Sequence, residues 1–420
     1  MEFSYQQSLD YLAGFSKQGA PVKDLSRFAA LMRELGSPQE KLRFIHIAGT
    51  NGKGSVTELC SRALTECGYV TGRFTSPYII DIRERIELDG QFITEADFAR
   101  LMHTVSLAER RCANRQFSQF ELLTALCFLY YAENHADFVC LEAGIGGTLD
   151  CTNIIPCPAV AVITSIGLDH TAILGRTEAE IARSKSGIIK GGYAVAAHGI
   201  SDEAMRVIKA RCDEAGARLI IPEAPQITAS DMSGSTFIYG GEEYHTPLCG
   251  AHQVTNCVTA IEALKCAAQL PADKLQRGFD KAVLPARLER LCVNGTDVIL
   301  DGGHNPQAIE AARQVLNADS RAKTALIGMI DTKDYETALK LLLPCFERVV
   351  FCDGFAPNAV CGDILCETAQ RLNIPAESVR EPNEALCRAL ELNGSKRVLF
   401  CGGSLYLAAE LRKFLIEKRA

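Results

Sequence analysis

Short apolar runs alternate with amphipathic segments of helical length along most of the chain. Five apolar runs in the first half predict strands, at residues 43–48, 69–75, 137–143, 159–166 and 193–199. Helical patterns lie between them, for example after Ser55 and from Phe120 onward. The strand candidates are apolar throughout, which is typical of strands that are buried on both faces. The alternation therefore predicts an α/β fold, in which helices cover both faces of a parallel sheet.

The pattern changes between about residues 218 and 248, and then the strand–helix rhythm returns. Short, turn-bounded runs with alternating polarity predict a small antiparallel patch in this region. The dipeptide Asn294-Gly295 is a turn signal, and four further strand–helix pairs follow it. We therefore predict two α/β domains, residues 1–290 and residues 291–420, with the patch in the first domain.

Charge and cysteine content narrow the classes of protein to which this chain can belong. The 420 residues include 44 Lys and Arg against 51 Asp and Glu, and the formal net charge of −7 argues against broad binding to nucleic acid or to anionic membranes. The 18 cysteines are scattered and include no CxxC pair, which favours free thiols over disulfides or a cysteine zinc site. Neither a signal peptide nor a membrane span is evident. We expect a soluble, cytoplasmic protein.

A glycine-rich turn joins the first predicted strand to a helix in IHIAGTNGKGSVTELC, residues 45–60. Backbone N–H groups at such a helix start can bind phosphate, Lys53 adds positive charge, and the Ser55 hydroxyl can bind Mg²⁺. The spacing G-T-N-G-K-G-S departs from the usual G-x-x-x-x-G-K-[ST], so a plain glycine turn is the alternative. Lysine directly before a helix favours the phosphate loop.

Polar residues also follow the next buried strands. Glu142 ends a strand and opens the glycine-rich segment LEAGIGGTLDCTNII, so it is well placed to hold a metal, although a loop capped by Asp150 is the alternative. Asp169 and His170 follow another strand, where a structural histidine is the alternative. Lys185 carries no strong signal of its own, and a solvated surface lysine is the default interpretation.

Two further clusters lie later in the chain. His252 and Asn256 are four residues apart and share a helix face. Asp301 follows a buried strand, and Asn305-Pro306 begins a helix. Asp, His and Asn residues at one strand end indicate a site in the second domain, with ordinary turn chemistry as the alternative.

Ten segments in this order resemble the folylpolyglutamate synthase and dihydrofolate synthase family, a branch of the Mur-type amide ligases. The segments cover nearly the whole chain: AGTNGKGS (48–55), FTSPYI with RERI (74–86), FE (120–121), LEAGIGGTLDCTN (141–153), TSIGLDH (164–170), KSGIIK (185–190), GAHQVTN (250–256), ARLE (286–289), DGGHNP (301–306) and CGGSLY (401–406). The family shares the unusual phosphate-loop spacing. The resemblance implies a P-loop Mur-ligase-like ATPase domain with a parallel sheet, a smaller Rossmann-like C-terminal domain, and ATP held between them.

The resemblance also implies a reaction, the ATP-dependent addition of L-glutamate to tetrahydrofolate. The γ-phosphate of ATP would pass to a folate carboxylate, and the amino group of glutamate would attack the resulting acyl phosphate. The expected partners are folate, L-glutamate and ATP, with neither nucleic acid nor membrane, and we expect a monomer. The alternatives are a bifunctional enzyme that also joins glutamate to dihydropteroate, a ligase for another acid, and a nucleotide-binding scaffold without turnover.

Residue roles follow from the resemblance by matching position. It implies catalytic roles for Lys53, His170 and Lys185. It implies ATP binding by Asn51, Gly52, Lys53, Gly54, Ser55, Asn256, Arg287, Asp301 and His304. It implies two Mg²⁺ ions bound by Ser76, Glu142, His170 and a carbamylated Lys185. It implies a folate pocket lined by Phe120, Glu121, Leu149, Asp150 and Cys151.

Three positions depart from the family pattern. Thr148 stands where the dihydrofolate synthase type often has arginine, and Cys151 replaces an alanine, as in many forms that add glutamate only. These two residues favour the folate-only interpretation over the bifunctional one. Asn358 stands where a Pro-Arg-Ala pattern is common, which bears on a glutamate or phosphate contact in the C-terminal domain.

Overall fold

The computed structural model describes residues 3–16, 23–332, 334–394 and 397–417, which form two compact units. The first unit comprises residues 1–224 and 255–281, and the second comprises residues 225–254 and 282–420. Both units are built on largely parallel sheets covered by helices, as the strand–helix alternation predicts.

An eight-stranded sheet lies at the centre of the first unit. Its strands are β1 (Phe44–Ala48), β2 (Thr71–Phe74), β3 (Ile86–Leu88), β4 (Gln91–Phe92), β5 (Phe138–Glu142), β6 (Val160–Ile163), β7 (Tyr193–Ala196) and β8 (Arg218–Ile220). The order across the sheet is β4-β3-β2-β5-β1-β6-β7-β8, and only β3 and β4 run antiparallel to their neighbours. All five strands predicted in the first half are therefore confirmed.

Helices and short 3₁₀ turns surround this sheet. The helices are α1 (Tyr5–Ala13), α2 (Ser26–Glu34), α3 (Lys53–Glu66), α4 (Glu95–Arg111), α5 (Gln119–Glu133), α6 (Thr171–Leu174), α7 (Glu178–Ser186), α8 (Asp202–Ala215), α9 (Ala251–Ala267) and α10 (Ala272–Asp280). The 3₁₀ turns are Pro38–Lys41, Ile82–Arg85 and Cys151–Ile154. Helix α5 is buried along most of its length because its sequence is apolar on every face.

The strand register decides which residues meet at the edge of the sheet. Strand β1 lies between β5 and β6, with Ile47 opposite Glu142 and Ala48 opposite Ile163. Since the carboxyl ends of parallel strands share one edge, the turn after β1, the side chain of Glu142 and the segment after β6 come together there.

The second unit contains two sheets. A three-stranded antiparallel sheet is formed by β9 (Gln226–Asp231), β10 (Gly234–Tyr239) and β11 (Glu242–Thr246). A six-stranded sheet has the order β12-β13-β17-β14-β15-β16, with strands β12 (Glu289–Val293), β13 (Thr296–Asp301), β14 (Lys323–Ile327), β15 (Arg348–Phe351), β16 (Ala376–Ser378) and β17 (Val398–Gly402). Its helical segments are α11 (Pro306–Ala318), α12 (Tyr335–Leu342), α13 (Gly362–Arg371), α14 (Pro382–Asn393), α15 (Leu405–Glu417) and the 3₁₀ turn Leu343–Cys345. Strand β12 pairs antiparallel with β13 through a turn in which Asn294 and Gly295 both have positive φ, as Asn-Gly hairpin turns require.

The predicted domain boundary after residue 290 falls inside strand β12, whereas the second unit already includes the chain from residue 282 onward. The antiparallel patch groups with the second unit, because Met232 and Cys249 pack into the hydrophobic cluster that includes Leu288 and Ile299. Residues 218–220 fall in the predicted patch. In the structure they form β8, the edge strand of the first sheet. Alternating polarity predicts antiparallel strands but does not say which core they join.

All 18 cysteines are free thiols. Within the described ranges, no helix is both long enough and apolar enough to cross a membrane.

A buried network of charges ties α3 to strands β2 and β3. Arg73 pairs with Glu58 at 3.0 Å and also contacts Glu87, while Arg62 pairs with the same two carboxylates at 2.7 and 2.9 Å. The side chains of Glu58 and Glu87 are only 0% and 2% exposed. Each carboxylate is therefore removed from water and depends on both arginines for its charge balance.

We expect Arg73→Met to destabilise the protein strongly, because it leaves Glu58 and Glu87 buried with one cation between them. Loss of one partner of a buried ion pair typically costs about 3–5 kcal/mol of unfolding free energy. Arg100→Met is the matched control, since Arg100 forms ion pairs at the surface and should lose at most about 1 kcal/mol. Urea denaturation of both variants compares the two costs, and equal losses would contradict a stabilising role for the buried network.

Candidate active site

The turn after β1 has no room for side chains at two of its glycines. A Cβ on Gly49 would lie 1.7 Å from Thr164 Oγ1, and a Cβ on Gly52 would lie 2.4 Å from Asn256 Oδ1. Gly52 also has φ +86°, a conformation that glycine adopts without strain. The structure thus brings Asn256, a predicted ATP contact on α9, directly against the predicted phosphate loop.

The segment after β6 holds this turn in place. The backbone N–H of Thr50 donates to Ser165 O at 2.7 Å, and its hydroxyl donates to Gly167 O at 3.0 Å. The carbonyl of Asn51 accepts hydrogen bonds from Thr164 Oγ1 and Ser165 Oγ at 2.7 and 3.1 Å. Thr164 and Ser165 were not among the predicted site residues, although hydroxyl side chains directly after a buried strand are a readable signal. They preorganise the turn.

Two lysine ammonium groups converge on one carbonyl of the turn. Lys53 Nζ donates to Gly49 O at 3.0 Å and to Thr50 O at 3.2 Å, while Lys185 Nζ donates to Gly49 O at 2.6 Å. Lys185 is buried rather than solvated, and this burial, together with the nearby Lys53 charge, lowers the pKa of Lys185 to about 7. Lys53 therefore gives the turn a positive charge that favours a polyanion, while the lowered pKa leaves the Lys185 amine partly neutral.

The glycine-rich loop after β5 packs against the end of α7, where Lys185 lies. A Cβ on Gly147 would be 2.5 Å from Lys185 O, and a Cβ on Gly146 would be 2.7 Å from Ser184 Oγ. The Thr148 hydroxyl donates to Ser184 O at 2.9 Å. This close packing fixes the position from which Lys185 reaches the phosphate loop.

Two of the predicted metal ligands, Ser76 and Glu142, lie next to each other beside the phosphate loop. The buried carboxylate of Glu142 accepts a hydrogen bond from Ser76 N at 3.2 Å, and its Oε2 is 3.7 Å from where a Cβ on Gly54 would be. In the described portion of the chain, no group of three or more His, Cys, Asp or Glu residues could hold a metal ion. A cation at Glu142 therefore needs further oxygens from Ser76, phosphate or water, which is the way Mg²⁺ is usually bound.

His170 lies on the loop after β6, on the opposite side of β1 from Glu142. It has φ +49° and precedes the four-residue helix α6. Its side chain is 42% exposed, and its Nε2 lies 3.9 Å from Asp169 Oδ2. Its role as a metal ligand stays a prediction.

Aromatic and charged side chains lie together near Gly144. A Cβ on Gly144 would be 2.8 Å from the Phe120 ring and 3.2 Å from Asp150 Oδ2. The guanidinium of Arg85 lies 5.3 Å from the ring centroid of Tyr78 and 5.8 Å from that of Phe120. The structure brings Phe120 and Asp150 together, and it adds Tyr78 and Arg85, to which our sequence analysis gave no role.

The other predicted pocket residues differ in their surroundings. Cys151 is buried, with its Sγ 3.3 Å from Thr124 Oγ1, whereas Leu149 is exposed. Glu121 caps the start of α5, where it accepts hydrogen bonds from the backbone and hydroxyl of Ser118, and it also pairs with Arg27 at 2.7 Å. These contacts assign the Glu121 carboxylate to helix capping.

Three predicted residues lie on neighbouring segments of the second unit. Arg287 lies between Ala286 and Leu288, which both have left-handed backbone with φ +53° and +49°. Asp301 accepts a hydrogen bond from Leu288 N at 3.1 Å, and His304 Nδ1 lies 3.0 Å from Gly302 O. Burial raises the pKa of Asp301, and the Arg287 charge opposes this shift. Paired non-glycine residues in this conformation are uncommon and mark a backbone held by its surroundings.

Models of known families match both parts of the chain. The Mur ligase middle domain matches residues 47–264, and the Mur ligase glutamate ligase domain matches residues 286–405.

Relatives and solved structures match nearly the full length. A dihydrofolate synthase/folylpolyglutamate synthase of Bacillus subtilis is 33% identical, over 98% of this chain and 99% of the relative. A folylpolyglutamate synthase of Lacticaseibacillus casei is 30% identical, over 98% of this chain and 99% of the relative. The structure of Mycobacterium tuberculosis folylpolyglutamate synthase complexed with ADP and AMPPCP superposes with a TM-score of 0.86 at 30% identity, over 98% of each chain. With two Mur ligase domains and relatives of this kind along its whole length, the chain belongs to the folylpolyglutamate synthase/dihydrofolate synthase family of Mur ligases.

Proposed function

We propose that this chain is an ATP-dependent ligase that adds L-glutamate to folate through an acyl phosphate. The observation that carries the proposal is the convergence of Lys53 and Lys185 on the carbonyl of Gly49, at the start of α3 and close to Glu142. The phosphates of ATP would pair with the Lys53 charge, and the backbone N–H groups of the helix start would bind them. The folylpolyglutamate synthases among the relatives support the choice of folate and glutamate.

The residues of the phosphate loop would stabilise the transfer of the γ-phosphoryl group. Asn51, Gly52, Gly54 and Ser55 form the turn that receives the phosphates, and Lys53 places a fixed positive charge where negative charge develops. The hydrogen bonds that hold the turn are already made, so little reorganisation accompanies the reaction. In the second unit, Arg287, Asp301 and His304 are the proposed nucleotide contacts.

Phe120 and Asp150 suit the folate side of the reaction. Their side chains lie next to Gly144, so a flat ring could lie against Phe120 while its N–H groups donate to the Asp150 carboxylate. A folate carboxylate oxygen then attacks the γ-phosphorus and ADP leaves. The amino group of glutamate attacks the acyl carbon, its proton is lost, and inorganic phosphate leaves with the former carboxylate oxygen.

We propose that Ser76 and Glu142 hold one Mg²⁺ ion, and that His170 and a carbamylated Lys185 contribute to a second. The adjacency of Ser76 and Glu142 beside Gly54 fits such an ion, which would neutralise phosphate charge when bound. A carbamate would give Lys185 an anionic oxygen at the same loop. A crystal structure of the ATP-analogue complex with metals far from Glu142, or with an unmodified Lys185, would contradict the corresponding assignment.

The bifunctional activity is the second candidate. The Bacillus subtilis and Mycobacterium tuberculosis relatives are named as both dihydrofolate synthase and folylpolyglutamate synthase. Against it, position 148 carries a threonine whose hydroxyl is bonded to Ser184 O, where the dihydrofolate synthase type often has arginine. Cys151 likewise stands where that type has alanine, and it is buried against Thr124.

We expect ADP release to require both a folate and L-glutamate. Tetrahydrofolate and dihydropteroate are offered separately with ATP, Mg²⁺ and glutamate, and the products are weighed by mass spectrometry. A product with one added glutamyl residue from tetrahydrofolate alone supports the folate-only activity, and products from both acids support the bifunctional one. ADP release without either co-substrate would contradict the ligase proposal.

Lys53→Ala should lower turnover by about a hundred- to a thousandfold because one preorganised charge is lost.

Gly52→Ala should weaken nucleotide binding, whereas Gly68→Ala should not. Both substitutions place alanine at positive φ, +86° and +92°, which costs about 1–2 kcal/mol. Only the methyl group at position 52 would lie 2.4 Å from Asn256 Oδ1, since the space around Gly68 is open. Titration calorimetry with ADP should show at least about a tenfold weaker affinity for Gly52→Ala, or about 1.4 kcal/mol, and an unchanged affinity for Gly68→Ala. Equal affinities would remove position 52 from the binding site.

A further inference from the structure

One polar side chain lies in the middle of the central strand β1. His46 is flanked by apolar residues and is fully buried. Its Nε2 lies 2.9 Å from the hydroxyl oxygen of Thr152, which is also fully buried. Burial lowers the pKa of His46 to about 3, with the charge of Lys190 acting in the same direction, so the imidazole is neutral. A buried imidazole in a parallel sheet needs a reason beyond packing, because its polar atoms are costly to desolvate.

Thr152 connects His46 to Asp150. The Thr152 hydroxyl lies 2.6 Å from Asp150 Oδ1, and the backbone N–H of Thr152 donates to the same oxygen at 3.0 Å. The other oxygen, Oδ2, accepts a hydrogen bond from Ile145 N at 2.9 Å. With backbone N–H groups directed at both of its oxygens, the carboxylate is an acceptor, and the Thr152 proton points toward it.

The direction of the Thr152 hydroxyl proton determines which imidazole nitrogen of His46 carries a proton. The hydroxyl oxygen has its own hydrogen directed at Asp150, so it accepts a hydrogen bond from His46 Nε2–H. The imidazole Nδ1 is then bare, which agrees with its having no hydrogen-bond partner among the described residues. A protonated Nδ1 would instead be a buried donor without an acceptor, at a larger cost. The chain of donors therefore runs from His46 through Thr152 to Asp150.

We propose that His46 is a positioning residue that orients the Asp150 carboxylate for the folate ring through Thr152. The inference rests on the proposed function, since it takes the place between Phe120 and Asp150 as the folate pocket. Asp150 Oδ2 is the oxygen that faces Gly144 beside Phe120. Without the imidazole N–H, the Thr152 hydroxyl is no longer held against Asp150 Oδ1, and the carboxylate is oriented by its two backbone hydrogen bonds alone. Asp150 itself would contact folate, whereas His46 acts only through it.

The test compares two substitutions of His46 in the full-length protein. His46→Leu removes the donor and keeps a side chain of similar bulk, while His46→Gln keeps an N–H near the position of Nε2. Loss of one hydrogen bond typically weakens binding affinity by about three- to tenfold. We therefore expect His46→Leu to raise the KM for tetrahydrofolate by about that factor. The KM for ATP should be unchanged, and His46→Gln should restore most of the folate affinity. An equal rise in both KM values, or a His46→Gln variant no better than His46→Leu, would overturn the proposal.

A second pair of variants keeps the test decisive if His46→Leu folds poorly. Thr152→Val removes the hydroxyl that links the two residues and should raise the folate KM by a similar factor. Thr152→Ser keeps the hydroxyl and should leave the folate KM close to that of the wild-type protein. Equal folate KM values for Thr152→Val and Thr152→Ser would contradict the chain of hydrogen bonds. His198→Leu, at an exposed histidine, is the control and should leave both KM values unchanged.

Nitrogen NMR of histidine-labelled protein tests the chain without any substrate. The His46 imidazole should be neutral and protonated at Nε2 at pH 7, and its Nε2 signal should shift in Thr152→Val. Protonation at Nδ1, or no shift, would overturn the positioning role even if the enzyme proves to be a folate ligase. If the His46 imidazole of the wild-type protein is protonated at Nε2 but the protein does not use folate as a substrate, the hydrogen-bond chain stands and the proposed function is overturned.

Discussion

The contact on which the site depends is the meeting of the Lys53 and Lys185 side chains at the carbonyl of Gly49. Burial and the Lys53 charge lower the pKa of Lys185 to about 7, so Lys53 is the fixed positive charge of the turn and the Lys185 amine is partly neutral. The rest of the first unit holds this turn in place: the hydroxyl groups after β6 fix its backbone, and the close packing of Gly147 against α7 fixes Lys185.

The topology explains why these groups meet. Strand β1 is central, and its neighbours β5 and β6 end at the same edge, so three loops that are distant in sequence lie around one turn. The same strand carries His46, whose contacts lead through Thr152 to Asp150. In the proposed function, strand β1 supports both the phosphate loop and the folate side of the site beside Phe120. We therefore expect substitutions within this strand to affect ATP or folate binding according to their position along it.

Local patterns in the sequence predicted most of the fold and part of the site. Apolar runs identified the strands, and the glycine-rich turn with Lys53 was readable because its signal is contiguous. The burial of Lys185 was not readable, since it depends on a contact with Gly49 across 136 residues. Nor could alternating polarity show that the antiparallel patch joins the second core. The capping role of Glu121 was readable from the S-x-x-E spacing with Ser118, whereas its place in the folate pocket stays a prediction from the family resemblance.

We propose that a folate carboxylate becomes an acyl phosphate on this protein before glutamate attacks it. The most direct measurement follows the carboxylate oxygen, using tetrahydrofolate labelled with ¹⁸O in its carboxylates, together with ATP, Mg²⁺ and unlabelled L-glutamate. Each turnover should transfer one ¹⁸O atom to the released inorganic phosphate, because the bridging oxygen leaves with phosphorus. Inorganic phosphate that contains no ¹⁸O while the glutamyl product accumulates would contradict the acyl phosphate and with it the proposed mechanism.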